Sequence, residues 1–298
     1  MLKKLFICTC LFSCTSALAG MNFGNPSFSQ VYPDILKKEK RVQPRGVYLG
    51  VTGGVSIASF RDFATSPLFY KGSPPLFSLS LLKNRSNRDT EVEFIMVQGN
   101  FTNSYNRSIA TSSLKRLDIN YSELFRINPL SIEGLNTQIG FLANVTGNQR
   151  VNESLLNNAN GVEIIPTLFG SIKVTKDISR KKEKRGKLLF LRYRLSEKQR
   201  TLAFRTNIGL INSSYRNGFA YINQTSVTND PRLFEGYRFS IFCGFRMNTA
   251  LDYTRYLKNH NAVRLSYVWD AYRTSGKYEK LEMASHSIKI SLLFNICK

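Results

Sequence analysis

Residues 235–248 read EGYRFSIFCGFRMN. One alternating set is Tyr237, Phe239, Ile241, Cys243, Phe245 and Met247; the other is Arg238, Ser240, Phe242, Gly244, Arg246 and Asn248. Side chains alternate across a strand, so a period of two sets an apolar face against a face that carries both arginines. What each face meets decides the fold. A water-soluble sandwich would bury the apolar face and wet the polar one. A transmembrane barrel would turn the apolar face to lipid and the arginines to a lumen.

The same pattern recurs along the chain as about ten residues of alternation followed by a polar interval. In order these segments are 46–59, 75–83, 90–101, 114–125, 137–147, 162–175, 187–195, 201–211, 219–227, 235–248, 262–272 and 286–296. Each is near the roughly 9–11 residues that a tilted strand needs to cross a bilayer. In 262–272, Val263, Leu265, Tyr267, Trp269 and Ala271 oppose Arg264, Ser266, Asp270 and Tyr272; in 286–296, Ile288, Ile290, Leu292, Phe294 and Ile296 oppose Ser287, Lys289, Ser291 and Asn295. Pro166 marks a bulge or a rim position in its segment. Intervals near 60–74, 102–113, 147–161, 228–235 and 273–285 are long, whereas 84–89 and 212–218 are short. The intervals 176–186 and 195–200 break that long-short rhythm.

The chain of 298 residues is 42% apolar and 21% charged, a globular balance. No apolar run reaches the roughly 18 residues of a spanning helix, which says nothing against strands. Residues 1–19 have the parts of a cleaved signal peptide: Lys3 and Lys4, the apolar run Leu5–Phe12, and Ala17-Leu18-Ala19. A lipoprotein signal with Cys14 is the alternative. Residues 20–44 are expected to form an extended N-terminal segment and 45–298 the barrel. Cleavage leaves Cys243 and Cys297, too few for a disulfide framework. Neither these nor His260 and His286 have metal-ligand spacing, so no cofactor or metal is expected. The formal net charge is +22. Its basic residues are scattered singly through strands except for RKKEKRGK at 180–187. For an exported chain this points to lipid headgroups, lipopolysaccharide phosphates or small anionic solutes, and not to nucleic acid.

With these features the chain resembles a Gram-negative outer-membrane β-barrel: exported, strand-rich, loop-asymmetric, with an aromatic, Phe294, in a final amphipathic strand. The resemblance covers residues 45–298 and selects no one family. It implies a bacterial outer-membrane location and recognition of the terminal strand by the barrel-assembly machinery. In such barrels the strand commonly ends on the aromatic, whereas Asn295-Ile296-Cys297-Lys298 follow it here.

Enzymes exist among such barrels. A serine hydrolase needs a Ser and a His held together, but His286 and Ser287 are strand neighbours and point to opposite faces. An omptin-like protease would need an acidic pair and an Asp–His couple at the rim, and neither Asp62 nor Asp230 has a His beside it. Glu91 and Glu93 share a strand face and read as counter-charges. Eight Asn-X-Ser/Thr triplets, Asn84 and Asn120 among them, are the hook for a secreted soluble β-sandwich that binds a ligand.

The expectation is therefore an all-β protein, a single antiparallel transmembrane β-barrel of about twelve strands, with ten as the alternative. It is expected to be no enzyme, but a narrow anion-favouring channel or a surface-exposed structural or adhesive protein. Arg192, Arg194, Arg205, Arg238, Arg246, Arg264 and Lys289 are the expected lumen cations, with Glu91, Glu93, Asp118 and Asp270 as partners. Phe242, Val268 and Leu293 should point inward and fill part of the lumen. Tyr237, Phe239, Ile241, Phe245, Trp269 and Phe294 are the expected lipid-facing residues.

Overall fold

A computed structural model describes residues 46–105, 108–152, 160–180, 184–188, 191–195, 197–217, 237–276 and 280–296. The stretches expected to be a signal peptide (1–19) and an extended segment (20–44) lie outside the described residues, as do Cys297 and the segment 219–227. The strands are β1 (Gly46–Asp62), β2 (Ser66–Gly72), β3 (Pro75–Asn84), β4 (Arg88–Tyr105), β5 (Ser108–Arg126), β6 (Leu135–Val151), β7 (Asn160–Asp177), β8 (Lys184–Leu188), β9 (Leu191–Leu195), β10 (Arg200–Asn212), β11 (Ser214–Asn217), β12 (Tyr237–Ser240), β13 (Phe245–Tyr256), β14 (Ala262–Arg273) and β15 (Leu281–Asn295).

Neighbours in sequence pair antiparallel around the sheet, and the last strand returns to the first. β1 pairs β15 from Tyr48↔Asn295 to Asp62↔Leu281, which closes the wall. β2 and β3 serve as one bent wall strand, as do β10 with β11 and β12 with β13, so the closed antiparallel barrel has ten strands. Of the two expected counts, ten is the one the chain forms. The soluble sandwich is overturned by the same closure.

The segments that drop out of twelve are instructive. β7 pairs β10 directly, so nothing between them belongs to the wall. Of the segment 187–195, the described residues 187–188 and 191–195 fall in β8 and β9, which pair with each other and not with the wall. The interval 212–218 is no turn either; it runs within the wall through β11. β7 stays straight through Pro166. The irregularity falls on its partner, where the register shifts between Gly209 and Ile211 and Ser213 N–H donates to the Pro166 carbonyl.

Alternation builds the wall. In β1 the buried Tyr48, Thr52, Ser56, Ala58, Phe60 and Asp62 face inward, while Leu49, Val55 and Ile57 are exposed outside. β15 repeats this with Leu293, Ser291, Lys289, Ser287 and Ser285 inside and Phe294, Leu292, Ile290 and Ile288 outside. Joined across the other strands by Phe77, Phe94, Leu117, Ile139, Ile172, Phe204, Leu251 and Leu265, these make an unbroken apolar belt. Water would penalise that area at roughly 25 cal/mol per Å², whereas hydrocarbon would not.

The belt occupies one part of the wall's height. β4 and β5 run for 18 and 19 residues, and at a strand tilt near 40° that is about 45 Å of height, roughly 20 Å more than a ~25 Å apolar band. The surplus lies away from the chain termini, where the outer face turns polar: Gln98, Asn100 and Thr102 on β4, Thr111 and Lys115 on β5, Gln149 on β6. β4 and β5 therefore rise well above the belt at the end away from the termini.

Candidate functional site

The only space enclosed by all ten wall strands is the lumen, and its side chains stack in tiers. Nearest the termini, Glu91 accepts from Arg205 at 3.5 Å and from Arg264 at 3.3 Å, and Lys173 pairs with Asp89 at 3.1 Å. Beneath them Tyr48, Leu82, Ala262 and Leu293 pack together with Tyr256. At mid-height Lys289 and the Ser78 hydroxyl donate to Glu93. Arg116 bridges Asp118 at 2.7 Å and Asp270 at 2.8 Å. Arg246 lies 3.5 Å from Asp270 and 3.8 Å from Asp118, with its guanidinium over the rings of Phe169 and Tyr272. A cavity of about 80 Å³ remains among these groups, room for a handful of waters.

Above the cavity the lumen is stoppered. Phe60, Tyr70, Phe101, Leu114, Leu281 and Met283 form a buried apolar cluster, and Phe101 is 0% exposed. Phe60 stacks on Tyr70 at 5.3 Å and meets Phe101 edge-on at 5.2 Å. Over this stopper sits a four-residue ionic knot. Asp62 accepts from Arg150 at 2.7 Å and Arg216 at 2.8 Å; Glu163 accepts from Arg150 at 2.8 Å and lies 4.0 Å from Arg216. Arg216 also donates to Thr274 Oγ1. Burial alone would raise the Asp62 carboxyl, but the guanidiniums of Arg150 and Arg216 outweigh it and hold the pKa at about 2.

Each of the expected site residues can now be placed. Arg205, Arg246, Arg264 and Lys289 point into the lumen, and each has a carboxylate partner. Arg192 and Arg194 lie on β9, off the barrel wall, because a five-residue strand bonded only to β8 does not reach across the barrel. Arg238 is exposed on the short β12. Glu91, Glu93, Asp118 and Asp270 are the counter-charges. Val268 lines the cavity and Leu293 is buried beneath it.

The expectation for Phe242 fails. From Tyr237 to Asn248 the opening stretch is two strands with a kink at Ile241–Gly244, where Phe242 has φ 55° and Gly244 φ 81°. Both lie in the left-handed region, and a Cβ on Gly244 would run into the Arg273 carbonyl oxygen. The kink throws Phe242 outward, 76% exposed, while Phe239, Ile241, Phe245 and Phe294 are exposed on the outer side. Trp269 is half-buried on that side. Tyr237 donates its hydroxyl to the Val162 carbonyl. Cys243 is a free thiol.

Sequence reading missed the knot. It put Asp62 in a loop and gave no role to Arg150, Glu163 or Arg216. The signal was present in the parity: Asp62 continues the inward set Ser56, Ala58, Phe60 past the end of the belt. The two histidines are elsewhere. His260 is in the β13–β14 turn at the terminal end, and His286 is on the outer face, hydrogen-bonded to the Tyr267 hydroxyl at 2.7 Å.

No protein-family model matches the chain, and no curated protein does. Among solved structures it is similar to the outer membrane protease OmpT from Escherichia coli, with TM-score 0.50 and 8% identity over 85% of this chain and 98% of that one. The chain has the outer-membrane β-barrel fold. Two further solved structures match with lower scores. The translocator domain of the autotransporter NalP from Neisseria meningitidis gives TM-score 0.38 and 10% identity over 86% and 89% of the two chains. Ail, the attachment invasion locus protein of Yersinia pestis, gives 0.27 and 9% over 84% and 100%. At such identities the likeness speaks for the fold alone.

Proposed function

We propose that this chain is a non-enzymatic bacterial outer-membrane barrel, closed to solutes, whose work is done by its raised wall and loops at the cell surface as a structural or adhesive protein. The observation that carries this reading is the lumen. Its described cations are matched by carboxylates within 4.0 Å, and an apolar stopper fills the space between the middle tier and the upper knot. An anion-favouring channel needs an uncompensated excess of cations along an open path. Here Arg246, Arg264 and Lys289 spend their charge on Asp270, Glu91 and Glu93.

The surplus height favours display. The tall polar wall away from the termini fits an external end and the turns after Asn84 and Tyr256 fit a periplasmic one, where the connection from β7 to β10 that carries β8 and β9 is the long exception. Outer-membrane lipid and lipopolysaccharide would be the partners of the belt and its upper margin, and the barrel-assembly machinery that of β15. The places of His260 and His286, a turn at the terminal end and the outer face, argue against a histidine-dependent hydrolase at the external rim.

Planar-bilayer recording on the purified, heat-modifiable barrel tests the reading. No stepwise conductance is expected. Stable, anion-selective steps from the unaltered chain would overturn it. Labelling of a Ser104→Cys variant on intact cells should succeed with an impermeant maleimide, and a protected thiol would refute external display of the raised wall.

A further inference from the structure

At the foot of the wall, just beyond the belt, the outer face carries cations set against cations. β10 and β13 place Arg200 directly opposite Arg255. Immediately below, Arg180 and Lys198 face each other in an isolated bridge. Lys176 is one rung higher, opposite Leu202, which in turn is opposite Tyr253. Like charges in directly opposed strand positions destabilise a sheet, and here two such pairs adjoin. Among the described residues no carboxylate forms an ion pair with Lys198, Arg200 or Arg255, and Arg200 Nε is a buried donor with no partner. Lys198 feels the crowding: Arg255 first, then burial and the charges of Arg200 and Arg180, lower its pKa. The sequence adds to this field, with ten Lys or Arg against two Glu in residues 180–200.

The apolar neighbours say what kind of anion comes here. Leu202, Phe204 and Leu251 stand exposed immediately above the cations on the same strands. A ligand that joins an acyl chain to a phosphate would satisfy both. We infer that Lys176, Lys198, Arg200 and Arg255 form a binding site for the phosphate of an anionic phospholipid headgroup, in the leaflet on the side of the termini. Guanidiniums take phosphate oxygens in pairs of N–H bonds, and Tyr253, across Leu202 from Lys176, has the amphipathic character of a residue at the membrane margin. The site gives the cation-on-cation register a reason: the lipid phosphate is its missing counter-charge. This inference rests on the proposal that the belt lies in a membrane with the termini in the periplasm.

The test uses the full chain in phosphatidylcholine vesicles with and without phosphatidylglycerol, with native mass spectrometry of the lipid that stays bound after mild extraction. The unaltered protein should retain phosphatidylglycerol over phosphatidylcholine. Arg200→Gln with Arg255→Gln should lower that preference by at least about tenfold, since each cation at an anionic surface is worth roughly fivefold. Lys71→Gln with Lys115→Gln, at the far margin of the belt, should leave it unchanged. Equal retention of both lipids, or equal loss in the two double variants, would overturn the site. Displacement of the lipid by inorganic phosphate alone would overturn it in favour of a free-phosphate site. Failure to enter vesicles at all, seen as migration on a gel that heating does not shift, would instead refute the barrel reading beneath it.

Discussion

Removal of the Asp62 carboxylate gives the sharpest test of how the upper lumen is held. Asp62 is 1% exposed and receives hydrogen bonds from two guanidiniums whose own side chains are 6% and 8% exposed. In Asp62→Asn, Arg150 keeps Glu163 at 2.8 Å, whereas Arg216 loses the carboxylate that lies 2.8 Å from its guanidinium. Breaking a buried pair by removing one partner costs about 3–5 kcal/mol, because the other charge stays desolvated. The expected loss in urea unfolding, followed by Trp269 fluorescence and heat-shifted migration, lies in that range. Adding Arg216→Met should restore a large part, since the buried guanidinium that lost its 2.8 Å carboxylate goes with it. Acid supplies an independent arm. The folded Asp62 carboxyl is depressed from 3.8 to about 2, so its contribution is fully present above about pH 4 and is lost as pH falls through 2. At about 1.4 kcal/mol per unit that is on the order of 2–3 kcal/mol. Asp62→Asn should lack this acid-linked loss. A single-variant cost below about 1 kcal/mol, or an unchanged acid profile, would refute the knot as a source of stability.

Phe101→Ala empties the centre of the stopper and should cost about 3–5 kcal/mol in the same unfolding assay; combined with Phe60→Ala it should give small conductance steps in planar bilayers where the unaltered chain gives none. Gly244→Ala forces a side chain onto the Arg273 carbonyl at positive φ, so it should destabilise by more than the ~1 kcal/mol of an ordinary left-handed residue, whereas Gly53→Ala, with open space around it, should be close to neutral. Ile288→Arg on the outer face should cost about 2–4 kcal/mol in a bilayer, and much less if that face meets water.

The wall was legible where strands are long and one-sided. β1, β14 and β15 keep the same inward and outward sets in sequence and structure, because a register slip would turn every side chain of a strand over. Residues 187–195 misled because alternation is a property of any strand; Leu191, Tyr193 and Leu195 alternate with Arg192 and Arg194 whether β9 sits in a wall or in a hairpin beside it. The kink at Phe242 and Gly244 was hidden for a different reason: one glycine in an alternating run reads as a small inward residue as easily as a left-handed turn. The lumen was legible by composition but not by pairing. Arg116 finds Asp270 across 154 positions and Arg264 finds Glu91 across 173. Partners that far apart meet only once a closed wall brings opposite sides within reach, so the sequence shows the arginines on the polar faces but not the carboxylates they pair with.

The seam between β1 and β15 has a bearing on how such a chain reaches its final form. Thr52 hydrogen-bonds Ser291 across 239 positions, so the two strands that complete the wall are the first and last of the described barrel. Loop-closure entropy for that contact must be met before it returns anything. Until it forms, every intermediate carries two raw edges with unsatisfied amides, one at each end of the sheet. Folding of this protein is therefore poor in stable halfway states, and a chain that lost only its last fifteen residues would lose the enclosure and not merely a strand.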